Sequence, residues 1–330
     1  MSLPVDVVHP HHRHGWWWKT LLAGFLLWVV TIVVTVLTRN TNLVPTIILL
    51  GSFLVPFTVV LFVIERVTGT ISTMQLVTAF FVGGILGVLG ASLLEANLRQ
   101  DALLYIAVGF VEEFVKGVLL VVVAWRVRPK TARQGALLGA TVGAGFAAFE
   151  SAGYAFNAAI TARGIDLVSL LQTEVVRAIL SPVGHVLWTA VLGAVLFGAA
   201  RGGARLRWSW SIVVAYVGVS LLHGLWDSNS TLATLLAFVF TGTPFSAARG
   251  RYVPADVATL STTLYVVGLA IVTAIGVAVL VTVLVRHRRQ DRALAAASDR
   301  SDAAAAPTWL SGPSGPGASD WTRTPPPHAH

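Results

Sequence analysis

Long runs of apolar residues dominate the chain, and short polar or basic segments separate them. A helix that crosses a bilayer needs about 20 mostly apolar residues. Runs of that length predict about eight spans, near residues 20–38, 43–64, 73–94, 103–125, 134–159, 178–200, 210–240 and 260–285. In the seventh, the polar run Asp227–Ser230 predicts a break or a bend. The pattern is typical of an all-α, polytopic helical membrane protein, and it lacks the alternation of an outer-membrane barrel.

The composition supports a membrane protein and narrows the chemistry. Only 12% of the 330 residues are charged, against about 25% in an ordinary soluble domain. This excludes a cytosolic globular protein and a disordered one. The chain has no cysteine, which excludes thiolate metal sites, a cysteine nucleophile and disulfides.

The basic residues predict the orientation of the spans. With the N-terminus in the cytoplasm, 14 Lys and Arg residues fall in inner segments and 6 in outer ones. Since cytoplasmic loops are enriched in Lys and Arg, this predicts eight crossings with both termini cytoplasmic. The net charge of +8 then reflects topology, and nucleic acid is not expected as a partner.

The two ends of the chain differ from its middle. Residues 1–17 are predicted to form a cytoplasmic tail, and residues 18–285 the transmembrane domain. Residues 286–330 are rich in Ala, Ser, Gly and Pro, a composition that predicts a disordered cytoplasmic tail.

Seven ionisable residues lie inside four consecutive spans. They are Glu112, Glu113, Lys116, Glu150, His185, His223 and Asp227. Charged groups at membrane depth are costly, so a cluster of them indicates a functional site. By the helical rise, Glu113, Glu150 and His185 lie roughly 10–15 Å from the outer ends of their spans. The sequence therefore predicts a polar, hydrated pocket in the outer half of the bilayer.

Helical spacing predicts how these side chains face. Glu112 and Lys116 are four residues apart and share a face, whereas Glu113 is rotated by about 100° from Glu112. This predicts that the two carboxylates point different ways, one catalytic and one structural. His223 and Asp227 are also four apart, so the carboxylate can orient the imidazole. On the sixth span, Arg177, Ser181, His185 and Thr189 are spaced as a polar stripe.

Taken singly, each feature also fits a structural role. A Glu–Lys pair in a span can be a neutralised pair, and an intramembrane histidine can be a hydrogen-bonded packing residue. The combination is harder to explain in this way.

Four short motifs follow one another on these spans: E-E-x-x-K at Glu112–Lys116, F-x-x-x-E at Phe146–Glu150, an Arg177…His185 element, and H-x-x-x-D at His223–Asp227. In this order and placement they resemble the motifs of the PrsW-type intramembrane proteases. These proteases are similar to the wider superfamily of CAAX-processing and bacteriocin-processing membrane proteases. The resemblance covers roughly residues 75–230.

The resemblance implies an intramembrane endopeptidase that cuts a membrane-anchored protein, for example an anti-sigma-factor-like single-pass substrate, in a bacterial inner membrane. It implies a set of catalytic residues: Glu112, Glu113, Glu150, His185 and His223. It implies supporting roles for Lys116, Phe146, Arg177 and Asp227. The CAAX branch has His where Glu150 stands and Asn where Asp227 stands, so its way of holding water and a prenylated substrate are not expected.

Two mechanisms are open at this stage. In the first, which the sequence slightly favours, Glu112 or Glu113 activates water without a metal, and the histidines stabilise the oxyanion. In the second, His185, His223 and Glu150 hold zinc. H-E-x-x-H and G-x-G-D are absent, which argues against a site-two zinc protease and a presenilin-like aspartyl protease. A proton-coupled transporter or channel and an inactive membrane scaffold are the alternatives.

Overall fold

The computed structural model describes residues 15–66, 71–99, 103–245 and 253–305, except for the side chains of residues 291 and 293–305. This part of the chain is almost entirely helical. Its ten α-helices are α1 (Trp16–Thr38), α2 (Val44–Ile64), α3 (Thr73–Phe81), α4 (Gly87–Glu95), α5 (Leu104–Val123), α6 (Ala132–Ala159), α7 (Leu167–Leu180), α8 (His185–Gly198), α9 (Trp210–Thr241) and α10 (Ala255–Ala305). Two short antiparallel strands, β1 (Ile160–Thr161) and β2 (Gly164–Ile165), connect α6 to α7.

The helices confirm a polytopic helical membrane protein. Within the described residues, seven helical segments are long and apolar enough to cross a membrane. One combines α3, a π-helical turn and α4, and another combines α7, a 3-10 turn and α8. The fourth predicted span coincides with α5, which has 20 residues but carries three charges, Glu112, Glu113 and Lys116. That α5 is an eighth crossing stays a prediction.

Of the predicted break or bend at Asp227–Ser230, the break is wrong, because α9 runs unbroken from Trp210 to Thr241. The polar side chains of this run find partners without disturbing the helix. Ser228 donates to the carbonyl of Gly224, one turn back in the same helix. Asn229 donates to the carbonyl of Tyr265 on α10. The run therefore anchors α9 rather than interrupting it.

The sixth span is interrupted where the sequence predicts a continuous stripe. A 3-10 turn over Ser181–Val183 separates α7 from α8, and Pro182 within it supplies no backbone N–H. Arg177 therefore lies on α7, and His185 is the first residue of α8. The predicted stripe along one continuous helix is therefore wrong, because its residues belong to two helices and the turn between them.

The ends of the chain only partly follow the sequence expectation. Residues 1–14, which make up most of the predicted N-terminal tail, and residues 306–330 lie outside the described residues. α10 continues to Ala305, so residues 286–305 are helical, in contrast to the predicted disordered tail. Ala, Arg and Leu, which have high helix propensity, are abundant in this stretch. The chain divides into two units, Met1–His287 and Arg288–His330, and the site described below lies within the first.

Glycines bring α6 and α8 into backbone contact at the centre of the fold. Every residue of α8 from Val186 to Gly198 is buried. A Cβ at Gly139 would meet the backbone carbonyl of Thr189, and one at Gly143 would meet the carbonyl of His185. Small residues allow membrane helices this close approach. The glycine face of α6 thus fixes where α8, and with it His185, stands.

We expect Gly139→Ala to destabilise the protein by about 1–3 kcal/mol, because the new methyl group must push α8 away. The matched control is Gly153→Ala on the same helix, where a Cβ meets nothing within 4 Å. There the better helix propensity of alanine should stabilise by up to about 1 kcal/mol. Thermal unfolding of both variants in detergent checks this, and shifts of the same sign would contradict it.

Exposed tryptophans lie at one set of helix ends. At these ends, which the basic residues predict to be cytoplasmic, the exposed tryptophans are Trp16, Trp18, Trp125, Trp208 and Trp210. Tryptophan is enriched where a helix leaves the hydrocarbon core, so these ends fit one membrane interface. This is consistent with the orientation predicted from the charges.

The absence of cysteine makes the orientation directly measurable. We expect Arg163→Cys, in the exposed turn between β1 and β2, to react with a membrane-impermeant maleimide added to intact cells. Arg205→Cys, exposed in the segment between α8 and α9, should react only after the cells are opened. The reverse pattern would invert the topology.

Candidate active site

The nine residues singled out from the sequence lie on five helices that converge. Glu112, Glu113 and Lys116 come from α5, Phe146 and Glu150 from α6, Arg177 from α7, His185 from α8, and His223 and Asp227 from α9. The contacts below connect all nine into one cluster, which the sequence could suggest but not measure.

Lys116 lies at the centre of the cluster and is fully buried. Its Nζ is 2.6 Å from Glu113 Oε1, 3.2 Å from Glu112 Oε2 and 2.9 Å from His185 Nδ1. The ring of Phe146 lies beneath the ammonium, at 4.2 Å. A buried charge needs this kind of complete pairing, because it has lost its water.

Glu112 and Glu113 both reach Lys116, so the expectation that they face different ways is wrong. Lys116 is four residues after Glu112 and three after Glu113, and both spacings place side chains together on a helix. The two carboxylates still differ in surroundings. Glu113 is fully buried, whereas Glu112 lines a cavity and is 5% exposed.

His223 is held by carboxylates at both ring nitrogens. Its Nδ1 is 3.0 Å from Glu113 Oε1, and its Nε2 is 3.3 Å from Asp227 Oδ2 and 3.6 Å from Glu112 Oε2. The ring stacks on the buried Trp188 at 4.5 Å. Because carboxylate oxygens only accept, this arrangement suits an imidazole that donates from both nitrogens.

Glu150 ties α6 to α7 and α8. Its Oε2 accepts from Arg177 Nη2 and lies 3.0 Å from His185 Nε2. Arg177 also donates to Ser151 Oγ at 2.8 Å and stacks its guanidinium on Tyr154. His185 is thus fixed between Glu150 on one ring nitrogen and Lys116 on the other.

Two cavities open onto this cluster. The larger, of about 600 Å³, lies between α4, α5 and α6 and reaches Glu112, Glu150, Arg177, His185 and Asp227. The smaller, of about 220 Å³, reaches Arg177, His185 and Asp227 from the side of Tyr265 on α10. Water and a peptide segment therefore have space beside the carboxylates and histidines.

Two residues of the site were missed by the sequence analysis. Trp188 supports the His223 ring, and its only sequence signal is its position one turn after His185. Glu95 ends α4 and lines the larger cavity, and its Oε1 is buried with no hydrogen-bond partner among the described residues. The sequence analysis considered only ionisable residues inside the predicted spans, and Glu95 lies just beyond the end of the third span.

A group of three residues could hold a metal ion, but it is not the predicted one. Ligand atoms of Glu112, His185 and His223 lie within 4.8 Å of one another. Glu150 was expected in this set. Instead it bonds His185 from outside the group and neutralises Arg177.

Comparison with known proteins agrees with this geometry. A family model described as PrsW family intramembrane metalloprotease matches residues 45–248, well over half of the chain. The chain belongs to this family. It is accordingly an intramembrane protease and a multi-pass membrane protein, whose substrate is a protein in the membrane. No curated protein and no solved structure matches the chain.

The matched region includes the cluster but not α1. Residues 45–248 contain α2 except its first residue, α3 to α9, and every residue of the cluster. α1 lies outside the match, yet Trp28 on α1 donates to Glu174 on α7, one turn before Arg177. The helix that carries Arg177 of the cluster is therefore hydrogen-bonded to a segment outside the matched region.

We expect Glu113→Gln to lower the free energy of unfolding by about 3–5 kcal/mol, because it leaves Lys116 and His223 without their closest carboxylate. Glu112→Gln should lower it by less. Glu112 is farther from both, at 3.2 and 3.6 Å. Thermal unfolding of the two single variants in one detergent measures the difference. Equal losses would show that the two carboxylates carry the cluster equally.

Proposed function

We propose that this protease cleaves single-pass membrane proteins, such as an anti-sigma-factor-like regulator, near the outer end of their transmembrane segment in a bacterial inner membrane. The depth of the cluster supports the position of the cut. Glu150 lies nine residues before the end of α6, roughly 13 Å along the helix axis. The twenty arginines against three lysines fit a GC-rich bacterial genome.

The observation that carries the proposed mechanism is the position of Glu112. It is the carboxylate of the E-E pair that lines the larger cavity, and it lies 3.6 Å from His223 Nε2. As general base, Glu112 takes a proton from a water in the cavity, and the oxygen of that water attacks the carbonyl carbon of the scissile peptide bond. When the tetrahedral intermediate collapses, the C–N bond breaks and the same proton passes to the leaving amine nitrogen, which restores the Glu112 carboxylate.

The developing oxyanion needs hydrogen-bond donors that are already in place. His223 supplies one from Nε2, with Glu113 holding its other nitrogen. The sequence analysis gave His185 as the second donor, but its Nε2 is 3.0 Å from Glu150 and its Nδ1 is 2.9 Å from Lys116. The Nε2 of His223 has only longer contacts, at 3.3 Å to Asp227 and 3.6 Å to Glu112, so its hydrogen can turn to the oxyanion. Arg177 lines both cavities and has N–H groups beyond those that Glu150 and Ser151 use, so we assign the second donor to it.

The experiment compares new protein N-termini in membranes of cells that express the native chain, Glu112→Gln or Asp256→Asn. Loss of a general base lowers the rate by about 10²- to 10⁴-fold. We therefore expect N-termini near the outer ends of single-pass proteins with the native chain and with Asp256→Asn, and their loss with Glu112→Gln. Asp256 is the matched control, because it is an exposed carboxylate in the first turn of α10.

Equal abundance of the three proteins in the membrane must be verified first. New N-termini that persist with folded Glu112→Gln would contradict the assignment of the base. Identical sets with all three proteins and with an empty vector would instead favour the transport or scaffold alternatives.

A further inference from the structure

The three residues of the candidate metal group are in contact with a cationic side chain of the protein itself, that of Lys116. Glu112, His185 and His223 offer one carboxylate and two imidazoles, the donor set of many catalytic zinc sites. Two of these three residues already bond Lys116: Nζ is 2.9 Å from His185 Nδ1 and 3.2 Å from Glu112 Oε2. The lone pairs that a metal would need are therefore shared with an ammonium group.

The hydrogen bonds of Lys116 identify it as an ammonium rather than a neutral amine. An ammonium has three N–H donors and no acceptor. Lys116 has three acceptors within hydrogen-bond distance, on Glu112, Glu113 and His185. A neutral amine would leave one acceptor unserved and carry a buried lone pair with nothing to accept from.

The histidines agree with this assignment. His185 Nε2 lies against a carboxylate oxygen of Glu150, which only accepts, so the ring proton is on Nε2 and the lone pair is on Nδ1. That lone pair accepts from Lys116. In the native chain each ring nitrogen of His223 faces a carboxylate, Nδ1 that of Glu113 and Nε2 those of Asp227 and Glu112.

The distances leave no room for both cations. Glu112 Oε2 and His185 Nδ1 are 3.8 Å apart. A zinc ion bonded to both at roughly 2.1 Å would lie within about 3.3 Å of Lys116 Nζ, whichever side of that pair it took. A dication and an ammonium at that distance repel, and the ammonium has no lone pair with which to become a ligand. The residues present do not fit a metal as they stand.

We infer that Lys116 is the permanent cation of this site, that it stands in place of a metal ion, and that removing it uncovers a latent metal site made of Glu112, His185 and His223. Lys116 is a positioning residue, because it is fully buried and reaches the cavity only through Glu112 and His185. The inference concerns metal binding alone, so it can fail while the proposed proteolysis stands, and the reverse.

The test measures Co²⁺ binding to the full-length protein purified in detergent, as native chain and as Lys116→Ala. Tetrahedral Co²⁺ absorbs visible light strongly, so it reports four-coordinate binding by nitrogen and oxygen ligands, here three side chains and a water. We expect Lys116→Ala to bind about one tetrahedral Co²⁺ per chain, and the native chain to bind none at this site. Metal analysis of the native chain as purified should likewise give no stoichiometric zinc.

Two controls separate this site from other histidines, including the four at positions 9, 11, 12 and 14. Lys116→Ala/His185→Ala keeps those histidines but loses one ligand, so its Co²⁺ spectrum is the baseline. Lys130→Ala removes the other fully buried lysine, which donates to the carbonyls of Ala124 and Val127 and touches none of the three ligands. It should bind no more Co²⁺ than the native chain.

Two results would overturn the inference. One is stoichiometric metal in the native chain that His223→Ala loses, since Lys116 and a metal would then coexist. The other is a folded Lys116→Ala that binds no more Co²⁺ than the baseline. If Lys116→Ala does not fold, the metal content of the native chain decides, together with Lys116→Met, which keeps the volume of the side chain without its charge.

Discussion

Charge compensation around Lys116 is the interaction on which the arrangement of the site depends. A charged side chain in the hydrocarbon region costs several kcal/mol unless it is paired. Here Lys116 is shared between two carboxylates of its own helix and an imidazole of α8, with an aromatic ring of α6 beneath it. The Glu113 oxygen that pairs with Lys116 also contacts His223 of α9. One lysine thus joins four helices.

The glycines make these short contacts possible. Gly109 on α5 faces the backbone of α9 at Ser220 and Gly224, which lets Glu113 and His223 come within 3.0 Å. Gly139 and Gly143 do the same for α6 and α8. Close helix packing is therefore a condition for the polar contacts of the site. If side chains in place of these glycines kept the helices apart, the buried charges would lose their partners.

The sequence came close to the fold for reasons that are local. Apolar runs of bilayer length predicted six of the eight helical segments to within a few residues, because burial in lipid depends on composition and length. The sixth segment begins at Leu167 instead of residue 178, and the eighth runs from Ala255 to Ala305 instead of over 260–285. The two errors inside spans also have local causes. At residues 227–230, polar groups found partners on α9 itself and on α10. At Pro182, one predicted helix became two, and this turn separates Arg177 from His185 so that both can reach Glu150.

For the site, the sequence predicted the seven ionisable residues that the fold brings into one cluster, because ionisable groups inside a membrane are rare enough to be counted. It did not determine their pairing. That both carboxylates share Lys116, that Glu112 and not Glu150 joins the two imidazoles, and that Trp188 and Glu95 belong to the site all depend on distances between helices. Spacing along one helix fixes directions only within that helix, whereas the identity of a buried charge's partner is settled by which helices pack together and how closely.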